Sequence, residues 1–416
     1  MNKKNIILYF LITYSVCCYL SLNRHSRAST GTYHSEIWAD KAGYNVYLPA
    51  LFIYDFDAAK FPEGTEKHIG YGFSLDSVSN KVITKYPYGV AFMQSPFWLI
   101  AHITSPQKDG FSMYYQKAID FAGSFYLTLG LFFLLLTINR YRNVSISIML
   151  SILIALSTGI FYYGIYETGM SHIYSFCCMS IILFLGLNPK KTTTHFLVMV
   201  LISALYIVIR PLNAVFLIPF ILMIYLEGKL IVLKEVFKFY SPKTLIMSVL
   251  IISLLLLPQL LYYHYAYGSF VANSYQKEPF FFPSISRVIE LLFSPNNGLF
   301  IYYPILLIVL IHSIFIKSNY NKLSLFLITS YILIYASWWS LSLGCSFGHR
   351  AINDILILFF IPLIVSKKRL SKFILIALII CSLINLKFIF SYDTCLHTSM
   401  NWDFAEYKAI LFGEFK

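Results

Sequence analysis

Residues 36–56 read EIWADKAGYNVYLPALFIYDF, and they fall in the polar interval that follows the first membrane-length apolar run, 6–22. Asp40 stands beside Lys41. Gly43, Tyr47, Ala50, Leu51 and Tyr54 then recur at roughly helical spacing, which predicts an apolar stripe. Pro49 has no backbone N–H, so it interrupts that helix or starts a new one. A carboxylate at the head of an amphipathic segment suits a site at the membrane surface, where a lipid-borne and a water-borne substrate can meet. The rest of the chain is expected to build a pocket around this stretch.

Composition points to the medium. Of 416 residues 58% are hydrophobic and 12% charged, with mean hydropathy +0.68, whereas a soluble domain carries about a quarter charged residues. The chain reads as an all-α polytopic membrane protein, one integral domain over 1–416. About eleven spans are expected, at 6–22, 121–138, 144–163, 173–187, 196–209, 212–226, 244–263, 299–316, 323–339, 352–365 and 373–390. The pair around Arg210 and Pro211 could be one broken helix. Arg24, His25 and Arg27 follow the first run with no small-residue cleavage site, so that run reads as a retained helix.

The net charge of +13 is explained by orientation rather than by nucleic acid. Basic residues crowd the connections holding Arg140, Arg142, Lys190, Lys191, Lys229, Lys234, Lys238, Lys243, Lys317, Lys322, Lys367, Lys368, Arg369 and Lys372. The positive-inside rule makes these connections, and the N-terminus, cytoplasmic. A first extracytoplasmic loop at 23–118 and a short extracytoplasmic tail at 391–416 follow. The loop carries a second amphipathic piece, 85–102, KYPYGVAFMQSPFWLIAH, expected to lie on the surface or re-enter. Five of the seven cysteines sit in apolar runs; Cys345 and Cys395 do not, and could pair. No cysteine–histidine spacing suggests zinc.

Uncommon charges near membrane depth are the best pointers to function. Glu36 and Asp40 are candidate catalytic acids. Glu167 and His172, five residues apart in a short outer turn, could converge on a substrate or a divalent metal, although nothing demands a metal or another cofactor. Arg210 cannot be discharged and needs an anion or a carboxylate. In 337–354, SWWSLSLGCSFGHRAIND, Gly344 and Gly348 permit a tight loop that presents His349 and Arg350 to a phosphate. Lys85 is a weaker candidate for the same role. No phosphate-binding loop, GxSxG or HExxH occurs in a useful context.

Together these features resemble the membrane-embedded GT-C class of glycosyltransferases, including protein mannosyltransferase-like and aminoarabinose transferase-like enzymes. The resemblance rests on E-I-W-A-D-K-A-G-Y-N-V-Y-L-P-A after one span, on K-Y-P-Y-G…S-P-F, on I-R-P-L-N and on W-W-S-L-S-L-G-C-S-F-G-H-R, and covers most of the chain to about residue 365. It departs where the family often has two adjacent carboxylates, since Lys41 follows Asp40. The resemblance implies a polyprenyl-phosphate sugar donor, a glycan, lipid or protein acceptor, a bacterial inner-membrane location and an active site outside the cytoplasm. Asp40 would be the general base, and Arg350, with Arg210, would stabilise the departing lipid phosphate. The alternatives are a lipid-linked oligosaccharide flippase or transporter, and an O-antigen polymerase or ligase.

Overall fold

A computed structural model of the chain describes residues 3–26, 28–188, 192–226, 241–275, 278–315, 319–366, 370–391 and 403–413. Arg27, Lys277, Cys395 and several of the basic connections, including Lys190, Lys229, Lys317 and Lys367, lie outside them. The described chain is mostly helical. Four helices are long and apolar enough to cross a membrane, over Ile7–Arg24, Met113–Ile138, Pro242–Tyr267 and Lys372–Ser391. A bent pair, Val144–Leu156 and Gly159–Ile165, brings the number to five if it counts as one span. These helices are compatible with an integral membrane protein.

The chain divides into two compact units, Met1–Gly130 with Tyr163–Leu217 and Gly228–Tyr275, and Leu131–Tyr162 with Ile218–Glu227 and Gln276–Lys416. In the first, α1 (Lys3–Arg24) leads into the outer segment. That segment folds as α2 (Asp40–Asn45), α3 (Tyr47–Phe52), α4 (Thr65–His68), a hairpin of β1 (Ser74–Asp76) and β2 (Lys81–Ile83), and α5 (Gly89–Thr104). The break between α2 and α3 falls at Val46. Its cause is Pro49, which cannot donate to the Asn45 carbonyl four residues back. Of the expected stripe Gly43, Tyr47, Ala50 and Tyr54 are buried and Leu51 is exposed, and every residue from 41 to 50 is buried, so the segment is covered all round rather than on one face. Val46, Tyr47, Leu48 and Ala50 pack with Ile37, Phe61, Phe73, Val82 and Trp98 in one cluster. Each such side chain taken wholly out of water contributes roughly 1.5–3 kcal/mol.

Three further helices enclose this segment: α6 (Met113–Ile138), α9 (Ser171–Gly186) and α10 (Thr193–Ile209), with α7 (Val144–Leu156) and α8 (Gly159–Ile165) lying between α6 and α9 in the chain. Buried amides join the layers. Asn45 Nδ2 donates to Gln94 Oε1 at 3.0 Å, Gln94 Nε2 to the Tyr174 hydroxyl at 3.0 Å, and that hydroxyl to the Thr168 carbonyl at 2.9 Å. After α11 (Asn213–Leu226), α12 (Pro242–Tyr267) clasps the hairpin with tyrosines. The Val82 N–H donates to Tyr265 at 2.9 Å and the Thr84 N–H to Tyr262 at 2.7 Å.

In the second unit the 77° bend between α7 and α8 has a visible cause. Asn385 Nδ2 donates to the carbonyls of Leu156 and Thr158, both at 2.8 Å, and so satisfies acceptors the break releases. Residues 285–337 form α13 (Ile285–Phe293), α14 (Leu299–Tyr302), α15 (Pro304–Ile314) and α16 (Asn319–Ser337). The run at 352–365, expected as a span, is instead two 3₁₀ turns, Arg350–Asp354 and Leu356–Phe360, followed by α17 (Ile361–Val365). Every residue from 351 to 364 is buried, and Pro362 cannot donate to the Leu358 carbonyl. An all-round apolar run signals burial without saying whether lipid or protein does the burying. Helices α18 (Lys372–Ser391) and α19 (Phe404–Phe412) follow.

Candidate functional site

Asp40 is the first residue of α2 and remains half-buried. The residue before it, Ala39, has φ 47°, a region that costs a non-glycine residue about 1–3 kcal/mol. Its N–H is anchored on the Ile69 carbonyl at 2.7 Å, and Gly72 passes so close that a Cβ there would strike the Ala39 carbonyl. The backbone is thus forced into the turn that aims Asp40. Its Oδ1 accepts a hydrogen bond from the Tyr86 hydroxyl. Burial, and after it the Asp40 carboxylate, push the Tyr86 phenol well above its ordinary range, so it stays a donor. Tyr86 packs against Tyr44 with ring centroids 4.4 Å apart and the planes tilted by 41°, while the Lys85 ammonium lies 5.4 Å from the Tyr86 ring and 5.2 Å from that of Tyr275. A carboxylate, a phenol donor and a cation therefore share one polar corner.

An apolar groove of about 530 Å³ adjoins that corner through Tyr47, whose hydroxyl donates to the Tyr86 carbonyl at 2.6 Å. Leu48, Phe52, Tyr88, Phe92, Leu261 and Tyr262 line it with Tyr47. One wall is thus α12, a helix of membrane length. A second cavity of about 630 Å³ has a mixed lining, with Thr65, His68, Gln107, Asp109 and Ser112 beside Pro62, Phe111 and Met113. Among the described residues no lysine or arginine lines it.

Glu36 lies deeper, 2% exposed, in a cluster that spacing alone did not reveal. His25, just beyond α1, holds Nε2 at 2.8 Å from Glu36 Oε1 and Nδ1 at 2.8 Å from Asp120 Oδ1 on α6. Ser21 donates to Asp120 Oδ1 at 2.8 Å, while Glu36 Oε2 accepts from the Thr168 hydroxyl and, at 3.1 Å, from the Gly169 N–H. Burial opposes a charge on His25, but Glu36 and Asp120 outweigh it and raise the imidazole to about 10. Burial likewise opposes a charge on Glu36, and His25 and then Lys41 overcome it, lowering the carboxyl to about 2. Lys41 pairs with Glu167 at 2.9 Å, and Lys117 reaches Asp120 at 3.5 Å. Burial raises the Glu167 carboxyl, and Lys41 offsets this only in part.

His25, Glu36 and Asp120 are the one group among the described residues whose ligand atoms lie close enough together to hold a metal, within 4.8 Å. The imidazolium form of His25 sets one positive charge between the Glu36 and Asp120 carboxylates. The adjoining space is about 10 Å³, at the lower limit for a single water.

No family model matches the chain, and neither does any curated protein or solved structure. What the site can do has to follow from its own chemistry.

The sequence candidates divide between the units. Asp40, Glu36, Lys85, Glu167, His172 and Arg210 belong to the first; His349 and Arg350 belong to the second. Glu167 and His172 do not form a pair: Glu167 turns to Lys41, and His172 is buried edge-on against Tyr163 at 4.9 Å. Arg210 occupies the junction where α10 stops and Pro211 prevents its continuation. Asn213 stabilises that junction, donating to the Tyr206 carbonyl at 3.0 Å and to Ser175 at 3.3 Å. Gly344 and Gly348 both take positive φ, 73° and 62°, which explains the glycines of that loop. His349 is buried and hydrogen-bonded through Nδ1 to the Tyr331 hydroxyl, and Arg350 opens the first 3₁₀ turn. Cys345 is exposed; its expected partner Cys395 lies outside the described residues.

Sequence reasoning passed over His25, Asp120 and Tyr86. Asp120 carried a usable signal, an acid immediately ahead of the apolar run 121–138. Tyr86 did not, being one of 33 tyrosines.

Proposed function

We propose that the chain is a membrane glycosyltransferase that moves a sugar from a polyprenyl-phosphate donor to an acceptor hydroxyl outside the cytoplasm. The observation that carries this reading is the Asp40 corner adjoining an apolar groove walled by a membrane-length helix. Such a place can seat a lipid chain and a polar head together. Asp40 takes the proton of the acceptor hydroxyl. The acceptor oxygen then bonds to the anomeric carbon from the face opposite the phosphate, and the carbon–phosphate-oxygen bond breaks. The electron pair leaves on the lipid phosphate, with inversion at carbon. A positioned base of this kind contributes typically ~10²–10⁴-fold.

Tyr86 orients the carboxylate, and Lys85, with Arg210, is the cation of the first unit assigned to the phosphate. For Arg350 and His349 the same role rests on the sequence resemblance alone. Glu36 is assigned to holding α2 in place, because its oxygens are turned to His25, Thr168 and Gly169. The reading includes about ten spans, the run at 352–365 left out, a cytoplasmic N-terminus and a bacterial inner-membrane location.

The test is sugar release from radiolabelled polyprenyl-phosphate sugars, tried as a panel, in vesicles carrying wild type or Asp40→Asn. Turnover by wild type and its loss in a variant that melts at the same temperature is expected. Passage of intact lipid-linked sugar across the bilayer without cleavage would replace the enzyme by a flippase.

A further inference from the structure

The segment 279–293 has no part in the site described above, yet it is built in an unusual way. Its helix, α13, starts at Ser284, whose side chain accepts from the Arg287 N–H at 3.4 Å. Ile285, Ile289 and Phe293 follow at four-residue spacing on one face and are 80%, 56% and 45% exposed. Phe280, Phe281 and Phe282, just ahead of the helix, are exposed as well. Leu291, on the other side, is buried.

The segment is fastened to the C-terminal end of α16. Arg287 Nε donates to the Ala336 carbonyl at 2.6 Å, its guanidinium also reaches the Trp338 carbonyl, and the Phe281 N–H donates to the Ser337 carbonyl at 2.6 Å. Trp339 Nε1 donates to Glu278 at 3.0 Å, and Phe280 meets Trp338 edge-on at 4.9 Å. Arginine here satisfies the carbonyls that end a helix, and tryptophans gather with it as they do at membrane–water boundaries.

Lengths decide where the segment lies. The nine residues of α13 cover only about 13 Å, too little to cross a bilayer. The 19 residues of α16 cover about 28 Å, close to the ~30 Å of a hydrocarbon core; α16 is not among the four helices apolar enough to cross by themselves, and its run is a span in the proposed reading. With α16 as a span, a segment pinned at its end sits at the boundary of the core, and Arg287 and Glu290 keep it from going deeper. We infer that 279–293 is an interfacial anchor, its Ile285–Ile289–Phe293 stripe and Phe280–Phe282 cluster embedded in the headgroup region of the bilayer. The inference rests on the membrane reading of the chain and not on glycosyl transfer, so each can fail without the other.

Its test uses the full chain in vesicles of phosphatidylcholine and phosphatidylglycerol, with Cys345 and Cys395 replaced by Ser. An environment-sensitive fluorophore is placed at Ile289→Cys, at Ile285→Cys in a second variant, and at Val78→Cys as a hairpin reference 95% exposed. At 289 and 285 a blue-shifted emission is expected, quenched about twofold more by a spin label near the lipid glycerol than by one near the chain end. Iodide quenching equal to that at position 78 would mean that the face meets water and would overturn the anchor. Stronger quenching by the deep label would place the segment in the core. Protection from lipid and aqueous quenchers alike would mean that protein covers it, a second copy or another partner. Either result is equally fatal.

Discussion

His25 shows how much a single side chain can carry. Both its ring nitrogens face carboxylates, and its replacement by Gln leaves Glu36 and Asp120 buried against each other without their cation. Removing one partner of a buried ion pair costs about 3–5 kcal/mol, so a clear fall in the melting temperature of the solubilised protein is expected. The pH dependence has a definite sign. His25 is raised from 6.5 to about 10, so its contribution is complete below about 6.5 and is lost as pH rises toward 10. Glu36 is lowered from 4.5 to about 2, so its contribution is complete above about 4.5 and is lost as pH falls toward 2. These two groups by themselves give a plateau between pH 4.5 and 6.5 with a decline on the acid and alkaline sides; Glu167, whose carboxyl burial raises, adds a decline as pH rises above its ordinary value. In His25→Gln the part of the alkaline decline that belongs to His25 should vanish; an unchanged decline would assign that limb to another group. Glu36 and Asp40 could be picked out of the sequence because acids are scarce in an apolar chain. His25 could not, because its role depends on Asp120, 95 residues away on another helix.

At the scale of elements, the groove between α3, α5 and α12 makes a prediction that separates lipid tail from sugar head. Ser95 lines it and is only half-buried, its hydroxyl bonded to the Phe92 carbonyl at 2.8 Å within its own helix. Ser95→Trp puts an indole where a hydrocarbon chain would lie. Displacing two buried methylenes at about 0.8 kcal/mol each weakens binding about tenfold. KM for a long-chain donor should rise by about that factor with kcat little changed, while a donor analogue lacking the tail should show no change. An equal effect on both would move the tail elsewhere. The neighbouring helix gives a second test. A Cβ at Gly43 would meet the Gly72 carbonyl and the Tyr86 ring, so Gly43→Ala should displace Tyr86 from Asp40 and lower turnover. Tyr86→Phe should lower it too, because the carboxylate loses the donor that orients it. The pieces 36–56 and 85–102 were legible as helical segments of the outer loop, but not in which face they bury: 41–50 is covered on every side, and in α5 Phe92 and Ile100 are exposed while Gln94 is buried. The run 352–365 misled because it is apolar on every side, and hydropathy does not distinguish a lipid-facing helix from tight turns packed inside protein.

For the whole molecule, charge and length together fix an expectation about sidedness. The excess of 13 positive charges concentrates in the connections assigned to the cytoplasm, and α12 supplies the ruler. Its 26 residues extend about 39 Å, more than the ~30 Å hydrocarbon core. Lys243 stands at its N-terminal end, and Tyr262 and Tyr265 at the other end hold the hairpin that bears Val78. If α12 spans the bilayer, Lys243 and Val78 must face opposite compartments whatever the number of spans elsewhere. Lys243 belongs inside by the positive-inside rule, which sends the hairpin, and with it Asp40 in the same packed segment, outside. A membrane-impermeant maleimide applied to intact cells should label Val78→Cys at once, and Lys243→Cys only after permeabilisation. The reverse pattern would put the Asp40 corner in the cytoplasm, where sugar nucleotides are at hand and a lipid-phosphate donor would lose its rationale. Labelling of both positions in intact cells would mean that α12 does not cross, and the groove would then have to be read as a seat for something other than a membrane lipid.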